Sequence, residues 1–156
     1  MISRKPQHLI FDVDGVFTDG KFYYTADGKV MKAFCCQDSD GLRDLMGEFN
    51  IHLITADKNG FEISQVRAKD MGFPIHLVPN ADRAAHVAHY VKFGGAIFMG
   101  DSMTDIPALR EATYAIVPKQ SRIEVRDEAD YVTAYAGGEG AVLDACLHLK
   151  EKFRAR

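Results

Sequence analysis

Short apolar runs alternating with amphipathic segments of helical length leave this chain few folds to choose from. Leu9 to Phe11, Ile51 to Ile54, Ile75 to Val78 and Ala96 to Met99 read as buried strands, with shorter ones near Ala115 to Val117 and Tyr131 to Val132. The segments between them have helical spacing. Asp38, Ser39 and Asp40 offer N-cap oxygens before Leu42, Leu45, Met46 and Phe49. Gly60 to Met71 turns Phe61, Ile63, Val66 and Met71 inward and closes at Gly72. Further helices are expected over Ala81 to Phe93, Asp105 to Ala112 and Glu139 to Phe153. Strands and helices in this order predict an α/β, three-layer, Rossmann-like parallel sheet with helices on both faces. Two β-rich runs around Asp27-Gly28, within Lys21 to Phe34, predict a β-hairpin inserted after the first strand, at about 20–35. The 156 residues are 47% hydrophobic and contain no repeat or linker, so one domain over 1–156 is expected.

Charge and composition narrow the function. A net charge of −3 with dispersed Lys and Arg does not suggest a nucleic-acid surface. No apolar run approaches a membrane span, and MISRKPQH has no apolar segment of the signal-peptide kind, so a cytoplasmic protein is expected. Cys35, Cys36 and Cys146 make neither a disulfide framework nor a zinc knuckle.

A doubly wound sheet binds ligands outside the carboxyl ends of its strands. Residues i and i+2 of a strand face the same way, so Asp12 and Asp14 of LIFDVDGVFTDG can enter one site, with Gly15 allowing a sharp turn. Such converging carboxylates are costly without a cation, and a hard divalent ion with a bound phosphate would supply one. The second strand delivers Thr55, whose hydroxyl and following N–H groups can hold a phosphate oxygen. Asn80, Asp82 and Arg83 precede the third helix, and GDSMTD brings Asp101 and, about one helical turn later, Asp105. Singly these are an acidic turn, a helix cap and a surface arginine; together and in this order they describe a site.

DVDGVFTDG, the strand ending in Thr55, and GDSMTD resemble the motifs of the haloacid dehalogenase (HAD) superfamily of phosphohydrolases. FDVDGVFTDG followed by a hairpin, with ADYVTAYAGGEGAVLDAC near the end, is similar to the 3-deoxy-D-manno-octulosonate 8-phosphate (KDO 8-phosphate) phosphatases, and the likeness runs from Leu9 to about Leu149. It implies an aspartyl-phosphate mechanism with Asp12 as nucleophile and Asp14 as general acid and then base. It implies Mg2+ held by Asp12, Asp101 and the Asp14 backbone carbonyl, with Asp105 orienting those ligands. Thr55, Ala56 and a basic residue would bind phosphate, the substrate being a small phosphorylated acidic sugar.

The chain departs from that pattern in three places. Arg83 stands where the family has lysine, Ala56 follows Thr55 where glycine is usual, and GGEG places Glu139 where octulosonate phosphatases carry arginine. Lys58 and Glu139 are the candidate substrate contacts. These departures keep two alternatives open: a phosphatase of a nine-carbon ulosonate 9-phosphate, or a catalytically weak homologue serving as an assembly or regulatory subunit. The gaps after Gly15 and after Thr55 leave no room for a cap domain. The hairpin's Phe22, Tyr23, Tyr24, Val30, Met31 and Phe34 therefore predict pairing between subunits, in line with the tetramers of the resembling family. The charged end, His148 to Arg156, reads as a solvated helix or as a tail reaching a neighbour's site.

Overall fold

The computed structural model describes residues 4–153; the last part of the charged end, 154–156, lies outside them. Six parallel strands form one sheet in the order β5-β4-β1-β6-β7-β8. They are β1 (His8–Asp12), β4 (Asn50–Thr55), β5 (Ile75–Leu77), β6 (Ala96–Met99), β7 (Tyr114–Val117) and β8 (Tyr131–Val132). β1 pairs with β4 on one side and β6 on the other. The chain first builds outward through β4 and β5, then crosses β1 to add β6, β7 and β8. The order therefore reverses at β1, and the crevice opens at its carboxyl end.

Alternation along each strand divides the core in two. Leu9, Phe11, Ile51, Leu53, Ile97 and Met99 face α1 (Asp38–Asp44), α2 (Phe61–Met71) and α6 (Ala141–Lys152). Ile10, Ile54, Phe98 and Val117 face α3 (Arg83–Lys92), α4 (Ile106–Glu111) and the short α5 (Ile123–Arg126). With both faces covered, β1, β4 and β6 carry mainly apolar residues on both sides, as is usual for parallel strands. The expected three layers are present.

Local boundaries differ from the sequence reading for identifiable reasons. α1 stops at Asp44, so Met46 is exposed while Phe49 is buried in the connection to β4. In α2 the inward face is Ser64, Ala68 and Met71, with Phe61 and Ile63 half-buried and Val66 turned to solvent. α4 is preceded by a 3-10 turn over Met103–Asp105, and α6 begins at Ala141 rather than Glu139. Asp38, expected to cap its own helix, accepts instead from Leu143 N at 3.1 Å, in the first turn of α6. It thus ties α1 to α6, and its burial pushes its carboxyl up to about 6. Residue spacing cannot reveal a cap donated across 105 positions.

The hairpin is a separate two-stranded sheet, β2 (Tyr23–Thr25) and β3 (Gly28–Met31), joined by Ala26 and Asp27. Its strands are shorter than the β-rich runs suggested. Tyr23, Tyr24, Val30 and Met31 are exposed, whereas Lys32, just past β3, is buried.

Candidate active site

β1 determines the site by parity. Phe11 packs into one core layer, so the next residue, Asp12, takes the Ile10 face, toward α3. Beyond Asp12 the backbone turns. Gly15 has φ +85°, and a Cβ there would lie 2.0 Å from Asp101 Oδ2, so only glycine lets the β6 tip press against this loop. The GGEG stretch holds the same loop from the other side. A Cβ on Gly137 would sit 2.0 Å from the Gly15 carbonyl oxygen, and Gln120 bridges the two by donating to Gly15 O (2.7 Å) and accepting from Gly137 N (2.8 Å).

A 3-10 turn over Asn80–Asp82 leads into α3 and aims its first residue, Arg83, at the strand tips. The buried guanidinium spans two carboxylates: Nη2 is 2.9 Å from Asp12 Oδ1, and Nη1 pairs with Asp105 Oδ1. Asp105 Oδ2 accepts from Asp101 N (3.1 Å), Ser102 N (3.0 Å) and Ser102 Oγ (2.9 Å). Asp105 therefore aligns both Arg83 and the Asp101 loop. Burial raises the Asp12 carboxyl well above the usual range, outweighing the attraction of Arg83. Burial, reinforced by Asp105, lifts Asp101 to about 7. Arg83 loses solvation on burial, but Asp12 and Asp105 more than restore its charge, so its pKa is raised.

Asp14 sits in a different set. Its Oδ2 accepts from Thr55 Oγ1 at 3.0 Å, and its Oδ1 lies 2.7 Å from Lys32 Nζ. Lys32 also pairs with Asp57 (2.8 Å) and donates to Ser64 Oγ (2.9 Å), while Lys29 pairs with Asp57 at 2.5 Å and lies 3.4 Å above the Phe22 ring. Burial would raise the Asp57 carboxyl, but Lys29 and Lys32 overcome it and hold the carboxyl below its ordinary value.

A hollow of about 320 Å3 opens over these groups, lined by Asp12, Asp14, Gly20, Phe22, Ala56, Asp57, Asn80, Arg83, Asp101, Ser102 and Thr104. The structure thus brings together Asp12, Asp14, Ala56, Arg83 and Asp101, with Asp105 directly behind. Thr55 is adjacent but fully buried, its hydroxyl committed to Asp14 and to Asp57 N (3.1 Å) rather than facing the hollow. Two candidates fall outside. Lys58 is exposed and does not line the hollow, and Glu139 borders a different depression beside α6. Lys58 sits in a bend past β4 and Glu139 within the turn over 137–140, positions that neither strand nor helix period fixes. The sequence reading passed over Lys29, Lys32, Ser102 and Gln120. Lys32 left one signal, as the lone charge in the otherwise apolar run Val30 to Phe34.

The residues fit a divalent cation. Carboxylate oxygens of Asp12, Asp101 and Asp105 lie within 4.8 Å of one another. Asp105 joins the triplet through its carboxylate, whereas the Asp14 carboxylate is engaged by Thr55 and Lys32, which leaves the backbone carbonyl as the Asp14 ligand atom the sequence pointed to. Counting Asp14 and Asp57, five carboxylates face Arg83, Lys29 and Lys32, and the excess of two negative charges is what such an ion would neutralise.

A six-stranded parallel sheet with acids at these tips has the architecture of HAD-like hydrolases. Within that class the chain resembles the KDO 8-phosphate phosphatases. It is 28% identical over 138 residues to 3-deoxy-D-manno-octulosonate 8-phosphate phosphatase KdsC of Haemophilus influenzae, covering 85% of this chain and 76% of that protein. The cobalt-bound deoxy-D-mannose-octulosonate 8-phosphate phosphatase of Haemophilus influenzae superposes with a TM-score of 0.87 at 23% identity, covering 97% of this chain and 91% of the other, which speaks to the fold. The Moraxella catarrhalis 3-deoxy-D-manno-octulosonate 8-phosphate phosphatase, in complex with magnesium, phosphate and KDO, superposes with a TM-score of 0.83 at 28% identity, covering 96% and 88%. No family model matches the chain.

Proposed function

We propose that this chain is a magnesium-dependent phosphomonoester hydrolase acting on KDO 8-phosphate. The observation that carries the reading is the convergence of Asp12, Asp14, Arg83 and Asp101 on one hollow at the point where the strand order reverses. Asp12 attacks phosphorus in line to give an aspartyl phosphate. Asp14 protonates the departing alkoxide and then takes the proton of the hydrolytic water. Arg83 and the Ala56 backbone hold the equatorial oxygens, where phosphoryl transfer asks for positioning and positive charge. Asp12, Asp101 and the Asp14 backbone carbonyl would hold magnesium, aligned by Asp105. Bound there, the ion supplies charge that offsets the crowded acids and polarises the phosphoryl group.

Two features answer the departures from the family pattern, and the eight-carbon substrate is taken from the similarity to KDO 8-phosphate phosphatases. Asp57, which as a bare acid would repel a sugar carboxylate, is neutralised by Lys29 and Lys32. Arg83 already reaches the nucleophile, so the exchange for lysine does not leave the site without its cation. The test is phosphate release with magnesium from KDO 8-phosphate, nine-carbon ulosonate 9-phosphates and hexose phosphates. The eight-carbon ester should lead by about tenfold or more in kcat/KM, and a chelator should abolish turnover. Preference for a nine-carbon ester, or no turnover of any ester, would overturn the assignment.

We also propose a homotetramer joined through the hairpins, on the ground that Tyr24 is 63% and Met31 53% exposed on a ribbon too small to stand alone. Light scattering should give four chains for the wild type and fewer for Tyr24→Glu combined with Met31→Glu. A wild-type monomer would refute it.

A further inference from the structure

We infer that Lys32, delivered by the hairpin, is a positioning residue for Asp14, so that the hairpin of each chain takes part in that chain's own catalysis. The inference rests on the phosphatase reading. The Lys32 side chain is 0% exposed, and an ammonium so buried persists only with its charge compensated. Its counter-charges are Asp14 at 2.7 Å and Asp57 at 2.8 Å, and a hydrogen bond to Ser64 Oγ of α2 fixes its direction. Asp57 is independently paired with Lys29, so the second acid does not draw Lys32 away from the first.

The geometry at Asp14 gives the contact a catalytic meaning. Thr55 holds Oδ2 through a hydrogen bond and Lys32 Nζ lies 2.7 Å from Oδ1, so both oxygens of the carboxylate are held in place. An acid–base group needs that fixed orientation, because it must stay within hydrogen-bond reach of the leaving oxygen. In that step the Asp12 oxygen–phosphorus bond forms, the ester P–O bond breaks, and the proton on Asp14 passes to the departing oxygen. The carboxylate left behind faces a fixed ammonium. A purely structural lysine would anchor the hairpin without regard to the leaving group.

The experiment compares kcat/KM for 4-nitrophenyl phosphate, whose leaving group hardly needs a proton, with that for glycerol phosphate, whose leaving group does. Lys32→Met should lose about tenfold on the aryl ester and about a hundredfold on the alkyl ester, with KM nearly unchanged. Lys32→Arg, which keeps the charge, should restore much of the alkyl-to-aryl ratio. If Lys32→Met does not fold, Ser64→Ala, which removes only the bond that orients the ammonium, should move the ratio the same way by a few-fold. Equal losses on both esters, or a loss confined to KM, would overturn the inference while leaving the phosphatase standing. A wild type inactive on both esters and on KDO 8-phosphate would instead remove the phosphatase reading beneath it.

Discussion

Asp12→Asn should stop phosphate release, by about 10^4-fold or more, while leaving the chain at least as stable as the wild type. The first half follows from the proposed chemistry, because an amide oxygen cannot accept the phosphoryl group and no neighbour replaces it. The second half comes from the surroundings of the carboxylate. Asp12 is buried, near Asp101 and Asp105, and its carboxyl is held well above the ordinary range. A folded-state pKa above the unfolded value means that ionised Asp12 costs stability at neutral pH, and the neutral amide relieves that cost. Its Oδ1 can still accept from Arg83 Nη2 and Val13 N, so both of those donors keep their partner. Denaturant melts in chelator should place the variant level with the wild type or about 1–2 kcal/mol above it. A variant that kept appreciable turnover would end the nucleophile assignment, and one that lost several kcal/mol would end the account of the site as a strained acid cluster.

Arg83→Met should be costly on both counts. The guanidinium is the only cation between Asp12 and Asp105 among the described residues, and deleting it leaves two buried carboxylates unpaired. Removing one partner of a buried ion pair costs about 3–5 kcal/mol, or roughly 10 °C in Tm for a chain of this size. The loss of the cation facing the equatorial oxygens should also lower kcat by about 10^2 to 10^3-fold. Arg83→Lys separates the two roles. A lysine keeps one charge near Asp12 but lacks the planar fork that spans both acids. Activity should stay within about tenfold of the wild type, while about 1–2 kcal/mol of stability is lost with the Asp105 contact. If Arg83→Met matched the wild type in both assays, Arg83 would be a bystander, as a first-turn surface residue would be.

Much of this site was readable before any coordinates. Asp12, Asp14 and Asp101 are adjacent in the hollow because strand parity and the carboxyl-end rule for parallel sheets are properties of local sequence pattern. Arg83 follows from the same rule, as the first residue of a helix entering the tips from the sheet's other face. Residues placed by turns rather than by periodicity were read less well. Lys58 and Glu139 lie close in sequence to Thr55 and Gly137 yet point elsewhere, and Val66 shows how a short helix can present the face its pattern does not favour.

The order of strands and helices, the acids at their ends and the glycines that admit them are determined by the sequence itself, since period, propensity and backbone freedom act over a few residues. Only the tertiary structure decided that Lys32 reaches Asp14, that Asp38 caps a helix 105 residues away, and that the Asp105 carboxylate closes on Asp12 and Asp101. Each of these pairs charges or dipoles that are distant in the chain, and their energy comes from shared burial, which exists only once the layers have closed.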